Sequence, residues 1–304
     1  MKTLNKNTLI GLIKLFRAIP VFTYSGSLIF MNIAFAQKYG EILWHLLLPL
    51  VAGGFIINGF LSHSLNDIND WESGTDRLSQ GILSGGSKVL KQGLLSKVAL
   101  NKIAYLSLFA IIMISLYLYV FRGILVIAAA FVGVFAAWAY SCPPFRLAYN
   151  PVAGEVIGIW MPGVVLSTAS YFVLTGEFHL VPFFAGLIQN TLILGWIMLH
   201  HIPDIPADLS AKPCKLTTPA LCFQLWSYKG SVLPSIFYSC LAAILSFLGY
   251  LYIHQVFAWM LFPCLIGIWA GVTARAEDVH DMTEKQLISI AAIVINSIVF
   301  AILV

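Results

Sequence analysis

The chain has 304 residues, 60% of them hydrophobic and only 10% charged, with a mean hydropathy of +0.89. Soluble domains carry roughly 25% charged residues, so this composition excludes a water-soluble globular protein and points to an integral membrane protein. The net charge of +4 comes from basic residues scattered between apolar runs, with no continuous basic block, which argues against a nucleic-acid partner.

In chain order, the apolar runs predict nine transmembrane helices, at about 18–36, 42–63, 100–120, 123–141, 153–175, 181–201, 231–252, 256–273 and 287–304. Next to lipid, only helices or closed barrels satisfy the backbone, and long non-alternating runs are helical. The opening stretch MKTLNKNTLIGLIKLFRAIP has a basic start and no small-residue cleavage site, so it reads as an amphipathic approach to the first helix. With the N-terminus inside, 15 of the 17 Lys and Arg residues fall on that side, leaving Lys38 and Arg122 outside. The positive-inside rule then makes the N-terminus cytoplasmic and puts the C-terminus on the opposite side.

Two long polar segments interrupt the pattern, about 64–97 after the second helix and about 203–230 after the sixth. Both are expected as loops on the N-terminal side. They lie four helices apart, and each opens with acidic residues and continues with lysines. This predicts an all-α bundle in a single domain over 1–304, built of two pseudo-repeated four-helix units plus one helix, with a site between the copies. The five cysteines, Cys142, Cys214, Cys222, Cys240 and Cys264, are odd in number and form no CxxC pair, so they read as free thiols packed as small hydrophobes.

The first acidic cluster is NDINDWESGTDR, residues 66–77. If the second helix continues through it, Asp67 and Asp70 share a face, with Asn66 beside Asp70. Gly74 reads as the cap that stops the helix. The second cluster is HHIPDIPADLSAKPCK, in which Asp204 and Asp208 are four apart, again on one face. Carboxylates near hydrocarbon are expensive and usually functional. Paired carboxylates suit Mg²⁺, which takes one or two of them plus substrate phosphate oxygens and water. Lys88, Lys91, Lys212 and Lys215 follow the clusters, and Arg17 and Arg146 sit at helix ends on the same side. Cations and metal together stabilise a departing anion. Such a site suits a substrate with a polyanionic head and a hydrocarbon tail, such as a prenyl diphosphate. One cluster alone would read as a solvated face. Two clusters four helices apart favour a site, with Glu72 or Asp76 as a further contributor.

These residues resemble the UbiA superfamily of intramembrane prenyltransferases, and most of all the branch that prenylates 1,4-dihydroxy-2-naphthoate on the way to menaquinone (MenA-type). NDINDWESGTD at 66–76 is similar to the family's Asn-Asp-x-x-Asp motif with its later Gly-x-Asp. GGSKVLKQGLLS at 85–96, YSCPPFRLAY at 140–149 with Gly154 and Glu155, and PDIPAD at 203–208 with Lys212 and KLTT at 215–218 follow in the family's order. The resemblance covers roughly residues 15–230, and the last three helices match only in hydropathy.

The resemblance implies a nine-helix bundle around a central cavity that opens laterally to lipid. It implies Mg²⁺-dependent ionisation of a prenyl diphosphate and attack on the allylic cation by an aromatic acceptor. Asn66, Asp67, Asp70, Asp76, Asp204 and Asp208 would bind Mg²⁺ and diphosphate. Lys88, Lys91, Arg146, Lys212 and Lys215 would meet diphosphate oxygens, Tyr140 and Ser141 would lie near the reacting carbon, and Arg17 near acceptor or diphosphate. His200 and His201 stand where relatives often carry Asn and an acidic residue, and AKPCKLTT replaces the usual Gly-Lys-Arg-Thr. The resemblance implies 1,4-dihydroxy-2-naphthoate or a similar quinone precursor as the acceptor, and these departures at the second cluster keep a membrane terpene cyclase or a non-quinone acceptor open as the alternative. The two histidines read either as ligands or as interfacial hydrogen-bonding groups. An organic-ion transporter is a remote reading, because transporters place their charges near the midplane. Pro143–Pro144 is expected to turn the chain into the fifth helix, Asn58 and Asn190 to join helices, and RAEDVHDMTEK after the eighth helix to be a solvated connection.

Overall fold

The structure, a computed structural model, describes residues 6–303. Among them, nine helices are long and apolar enough to cross a bilayer: helix 1 (Lys6–Tyr39), helix 2 (Trp44–Ser73), helix 3 (Lys97–Arg122), helix 4 (Ile124–Ser141), helix 5 (Ala153–Thr175), helix 6 (Leu180–Ser210), helix 7 (Leu233–Tyr252), helix 8 (Gln255–Thr273) and helix 9 (Val279–Phe300). The described residues contain no strand. The count agrees with the sequence reading, but several ends do not. Helix 1 starts well before residue 18, and it breaks at Arg17, whose backbone is left-handed with φ 47°. Val304, in the predicted ninth span, lies outside the described residues.

Helix 2 runs to Ser73 and helix 6 to Ser210, so 64–73 and 203–210 are helical and not loops. Their polar side chains are buried against one another, and the continuing helix keeps their backbone hydrogen bonds internal. Gly74 ends helix 2 as expected, with φ 99° and its N–H on Asp70 O. The segment RAEDVHDMTEK is likewise only partly a connection. Asp278 caps helix 9 by accepting from the N–H groups of His280 at 2.9 Å and Asp281 at 3.2 Å. Lys285 is already buried one turn later, with Nζ 4.1 Å from the Trp269 ring centre.

Helix 6 is the central post. Its apolar residues, with Leu28 and Phe35 of helix 1, Leu174 of helix 5, Phe257 of helix 8 and Phe300 of helix 9, form the main core. Water-free helix contacts rely on packing and a few hydrogen bonds. Gln189 Nε2 donates to Ile293 O at 2.9 Å and Ser297 Oγ at 3.1 Å, and Asn296 Nδ2 donates to Gln189 Oε1 at 2.6 Å. Asn190 joins helix 5 through Trp160 O at 2.6 Å, and Asn58 joins helix 1 through Ser25 Oγ at 3.1 Å. The five cysteines are free.

Three π-helical turns interrupt the spans: Phe22–Gly26 in helix 1, Ile57–Ser62 in helix 2 and Val156–Trp160 in helix 5. All three contribute to the wall of one internal cavity. A π turn frees carbonyl groups from the regular ladder, and here Ile159 O accepts from Tyr24 Oη at 2.5 Å. This bond ties the turns of helices 1 and 5 together beside the cavity.

Replacing Gln189 by Leu removes the bonds to helix 9 and strands Asn296. The variant is expected to lose about 1–2 kcal/mol of stability, read as a lower melting temperature in detergent. An unchanged melting temperature would show that the polar cluster contributes nothing.

Candidate active site

The extensions of helices 2 and 6 bring both acidic clusters to one place. A cavity of about 270 Å³ begins between them and runs into the bundle between helices 2, 3, 4 and 5. Its polar end is lined by Arg17, Asn66, Asp70, Asp76, Asp204 and Lys215, and its deeper wall is mostly apolar, broken by Ser25, Asn58 and Ser115. His200, His201 and Tyr140 also face it.

Asp70 sits at the centre. Its Oδ2 accepts from Lys215 Nζ at 2.7 Å and Asn66 Nδ2 at 3.0 Å, and its Oδ1 from Tyr149 Oη at 2.8 Å. Lys215 Nζ is also 3.9 Å from Asp208 Oδ1. Burial opposes the Lys215 ammonium, but Asp70 and Asp208 outweigh it and hold its pKa well above the ordinary lysine value. Lys215 is placed by a turn in which its N–H donates to Asp208 O at 2.9 Å, and Lys212 N–H ties the same turn to Ser73 O at 2.9 Å.

The segment between helices 2 and 3 clasps both clusters. Ser79 Oγ donates to Asp204 Oδ1 and Gly85 N–H to Asp204 Oδ2 at 2.9 Å. Ser87 donates to Asp67 from its hydroxyl, and from its N–H at 3.2 Å. Gly86 has φ 66°, and a Cβ there would stand 2.2 Å from Asp76 Oδ2; only glycine lets this backbone pass.

The sequence marked some of these residues and missed others. Asn66, Asp70, Asp76, Asp204, Lys215, Arg17 and Tyr140 line the cavity. Asp67 and Asp208 lie buried directly behind them. Ser141 is also buried, accepting from Asn66 Nδ2 at 3.4 Å. Lys88 Nζ turns to Gly81 O at 2.7 Å and Lys91 Nζ to Ser79 O at 3.4 Å, so neither lines this cavity. Burial lowers the Lys88 pKa. Lys212 is exposed, and Arg146 lies 5.7 Å over the Tyr149 ring, behind Asp70. Ser79, Gly85, Ser87 and Tyr149 were not singled out. Their signal was the Ser/Gly-rich run 79–87 and the YSCPPFRLAY block. Glu155 stands apart from the cavity and accepts from Tyr238 Oη at 3.1 Å.

Five carboxylates face two cations, Lys215 and Arg17. Asp76 Oδ1 and both carboxylate oxygens of Asp208 are buried without a hydrogen-bond partner. Burial, followed by Asp70 and Asp67, pushes the Asp76 carboxyl well above the usual carboxylate range. Among the described residues, no three His, Cys, Asp or Glu side chains already converge as a complete metal site. The unpartnered oxygens of Asp76 and Asp208 are hard anionic acceptors of the kind Mg²⁺ takes together with water and substrate oxygens. Asp67, Asp70 and Asp76 would hold one ion, and Asp204 and Asp208 another.

Asp208→Asn removes a buried charge that no hydrogen bond satisfies and whose nearest cation, Lys215 at 3.9 Å, is bonded to Asp70 instead. Without metal, the variant is expected to be about 1–3 kcal/mol more stable than the parent. It should also lose most of the rise in melting temperature that Mg²⁺ with diphosphate gives the parent. Equal Mg²⁺-dependent stabilisation of both proteins would remove Asp208 from the metal set.

No protein-family model matches the chain. Among curated proteins, it is similar to the chloroplastic 2-carboxy-1,4-naphthoquinone phytyltransferase of Arabidopsis thaliana, at 26% identity over 208 residues. The match covers 64% of this chain and 52% of that protein, so the chain spans about half the length of this relative. Among solved structures, it resembles a UbiA homolog from Archaeoglobus fulgidus bound to GPP and Mg²⁺, with a TM-score of 0.64 at 15% identity over 96% of this chain and 100% of that one. A UbiA homolog from Aeropyrum pernix K1 in its apo form matches with a TM-score of 0.64 at 14% identity, over 92% and 98%. The nine helices and the coverage of these two structures from end to end lead to one conclusion: the chain has the UbiA fold.

Proposed function

We propose that the protein transfers a prenyl group from an isoprenyl diphosphate to an aromatic acceptor in a Mg²⁺-dependent reaction. One observation carries this reading: buried aspartates from the ends of two helices meet at the mouth of a cavity whose remaining wall is mostly apolar. That is a site for a polyanionic head with a hydrocarbon tail. Bound Mg²⁺ would neutralise the diphosphate and improve it as a leaving group. Lys215 and Arg17 hold diphosphate oxygens. Tyr149, Ser87 and the Gly85 N–H fix the carboxylates in place, so the site needs little reorganisation during reaction. When the allylic C–O bond breaks, the electron pair leaves with the diphosphate. The positive charge remains on carbon, beside the Tyr140 and Tyr24 rings that line the cavity. Aromatic faces favour such a charge, and the dry wall protects it from water. The acceptor's ring carbon then forms the new C–C bond, and the proton it carried passes to the released diphosphate.

A second cavity, next to the first, supports an external acceptor. It shares Arg17, Pro20, Gly86, Trp196 and His200 with the main cavity and adds Lys14 and Lys88. Three cations beside an indole ring suit a flat aromatic anion. His200 is held there by Gln286 Oε1 at 3.0 Å and by Arg17 Nη2 at 3.4 Å. The curated relative is named for a carboxylated naphthoquinone, which favours 1,4-dihydroxy-2-naphthoate or a similar quinone precursor. A cyclase would have no use for this second cavity. The positive-inside asymmetry makes the aspartate end cytoplasmic in this reading.

Purified protein with Mg²⁺ and geranylgeranyl diphosphate should release diphosphate only when 1,4-dihydroxy-2-naphthoate is added, and should yield a prenylated product by mass spectrometry. Asp67→Asn should cut this turnover by about a hundredfold or more. Release without acceptor, giving a hydrocarbon or alcohol, would replace the reading with a cyclase. Undiminished turnover in Asp67→Asn would remove that residue from the site.

A further inference from the structure

We propose that the apolar cavity measures the prenyl tail, admitting about four isoprene units and ending at Val126 on helix 4; this rests on the prenyl-transfer reading above. Helix 4 presents one face to the cavity, through Tyr140, Ala136 and Ala137, Gly133, Ala129 and Ala130, and Val126. The spacing of three to four residues is that of a single helical face. Between Tyr140 and Val126, every residue on this face is Ala or Gly, so this wall carries no side chain larger than a methyl group.

Three helices give the same depth. From Tyr140 to Val126 is fourteen positions of helix 4, or about 21 Å at 1.5 Å per residue. From Asn66 to Leu50 on helix 2 is about 24 Å, and from Gly158 to Val173 on helix 5 is about 22 Å, on the same rise. At the far end, Val126, Leu50, Leu118 and Val173 are 5%, 6%, 5% and 1% exposed and belong to the packed core. The channel therefore stops there. An extended hydrocarbon with bonds near 1.5 Å advances roughly 5 Å per four-carbon repeat, so about four isoprene units reach the floor. At the other end, Asp76 lines the mouth at 7% exposure with an unpartnered Oδ1. A channel that is polar and charge-hungry at one end and closed and apolar at the other fits an amphiphile of defined length.

Gly133 is the halfway point. A Cβ there would meet Ile57 Cδ1 at 3.2 Å, so helices 2 and 4 already approach closely at this level. A leucine at 133 would plug the channel about 10 Å from Tyr140, or about two isoprene units along. One competing route exists for longer tails. Pro49 and Ile114 line both the channel and a shallow groove on the outer face between helices 2 and 3. A tail passing between them would reach lipid and escape the ruler.

The test is a competition among geranyl, geranylgeranyl and nine-unit solanesyl diphosphates at equal concentrations with one acceptor, the products being separated by mass. The parent should favour geranylgeranyl over solanesyl by at least about tenfold, the scale on which a closed apolar pocket rejects extra methylenes. Gly133→Leu should reverse the order of geranyl and geranylgeranyl by a similar factor. Val126→Ala with Leu118→Ala should raise the solanesyl share several-fold. Equal use of solanesyl by the parent would mean that the tail leaves through the Pro49–Ile114 seam, and the ruler would fall while prenyl transfer stood. A Gly133→Leu variant slowed alike on every tail would also overturn it. No diphosphate release from any of the three by the parent would instead overturn the prenyl-transfer reading, and the ruler with it.

Discussion

The structure depends on one electrostatic constraint: five carboxylates buried together at the end of an apolar bundle. Like charges this close cannot all be ionised in a low-dielectric site without compensation. Lys215 neutralises part of the charge through Asp70 and Asp208. Ser79, Gly85, Ser87 and Tyr149 donate to three of the five aspartates. What remains, on Asp76 and Asp208, is oxygen without a partner. A cation arriving at a site in this state would relieve repulsion already stored in the protein, and an anionic head would need that cation beside it.

The rest of the fold serves that end of the molecule. Helix 6 is buried along most of its length and carries Asp204 and Asp208 into place. The break at Arg17 and the three π turns reshape helices 1, 2 and 5 where they border the cavity. The cost of those irregular turns is met by packing elsewhere, in the core of helices 1, 5, 6, 8 and 9. The rigid half of the bundle thus supports a half whose walls are hollowed by Gly and Ala.

The number and order of helices were legible because hydropathy alone reports burial in lipid. The ends of helices 2 and 6 were not, because a polar side chain buried against another polar side chain looks, in sequence, like one facing water. Spacing told more than hydropathy here: Asp67 with Asp70, and Asp204 with Asp208, do share helical faces as their intervals required. The lysines were the hardest to read. Lys91, Lys212 and Lys215 look alike in the sequence, yet only Lys215 is turned inward, by a backbone bond to Asp208 that no local pattern announces. Tyr149 and Ser87 were missed for the same reason, since their partners, Asp70 and Asp67, lie 79 and 20 positions away.

The most direct test of the carboxylate cage is an experimental structure with Mn²⁺, a carboxylate-binding stand-in for Mg²⁺, and a non-cleavable thio-linked geranylgeranyl diphosphate analogue. Anomalous scattering should place metal between the diphosphate and the two groups of aspartates, Asp67, Asp70 and Asp76 on one side and Asp204 and Asp208 on the other. A bound analogue with no metal signal there, or metal held by other residues, would contradict the account.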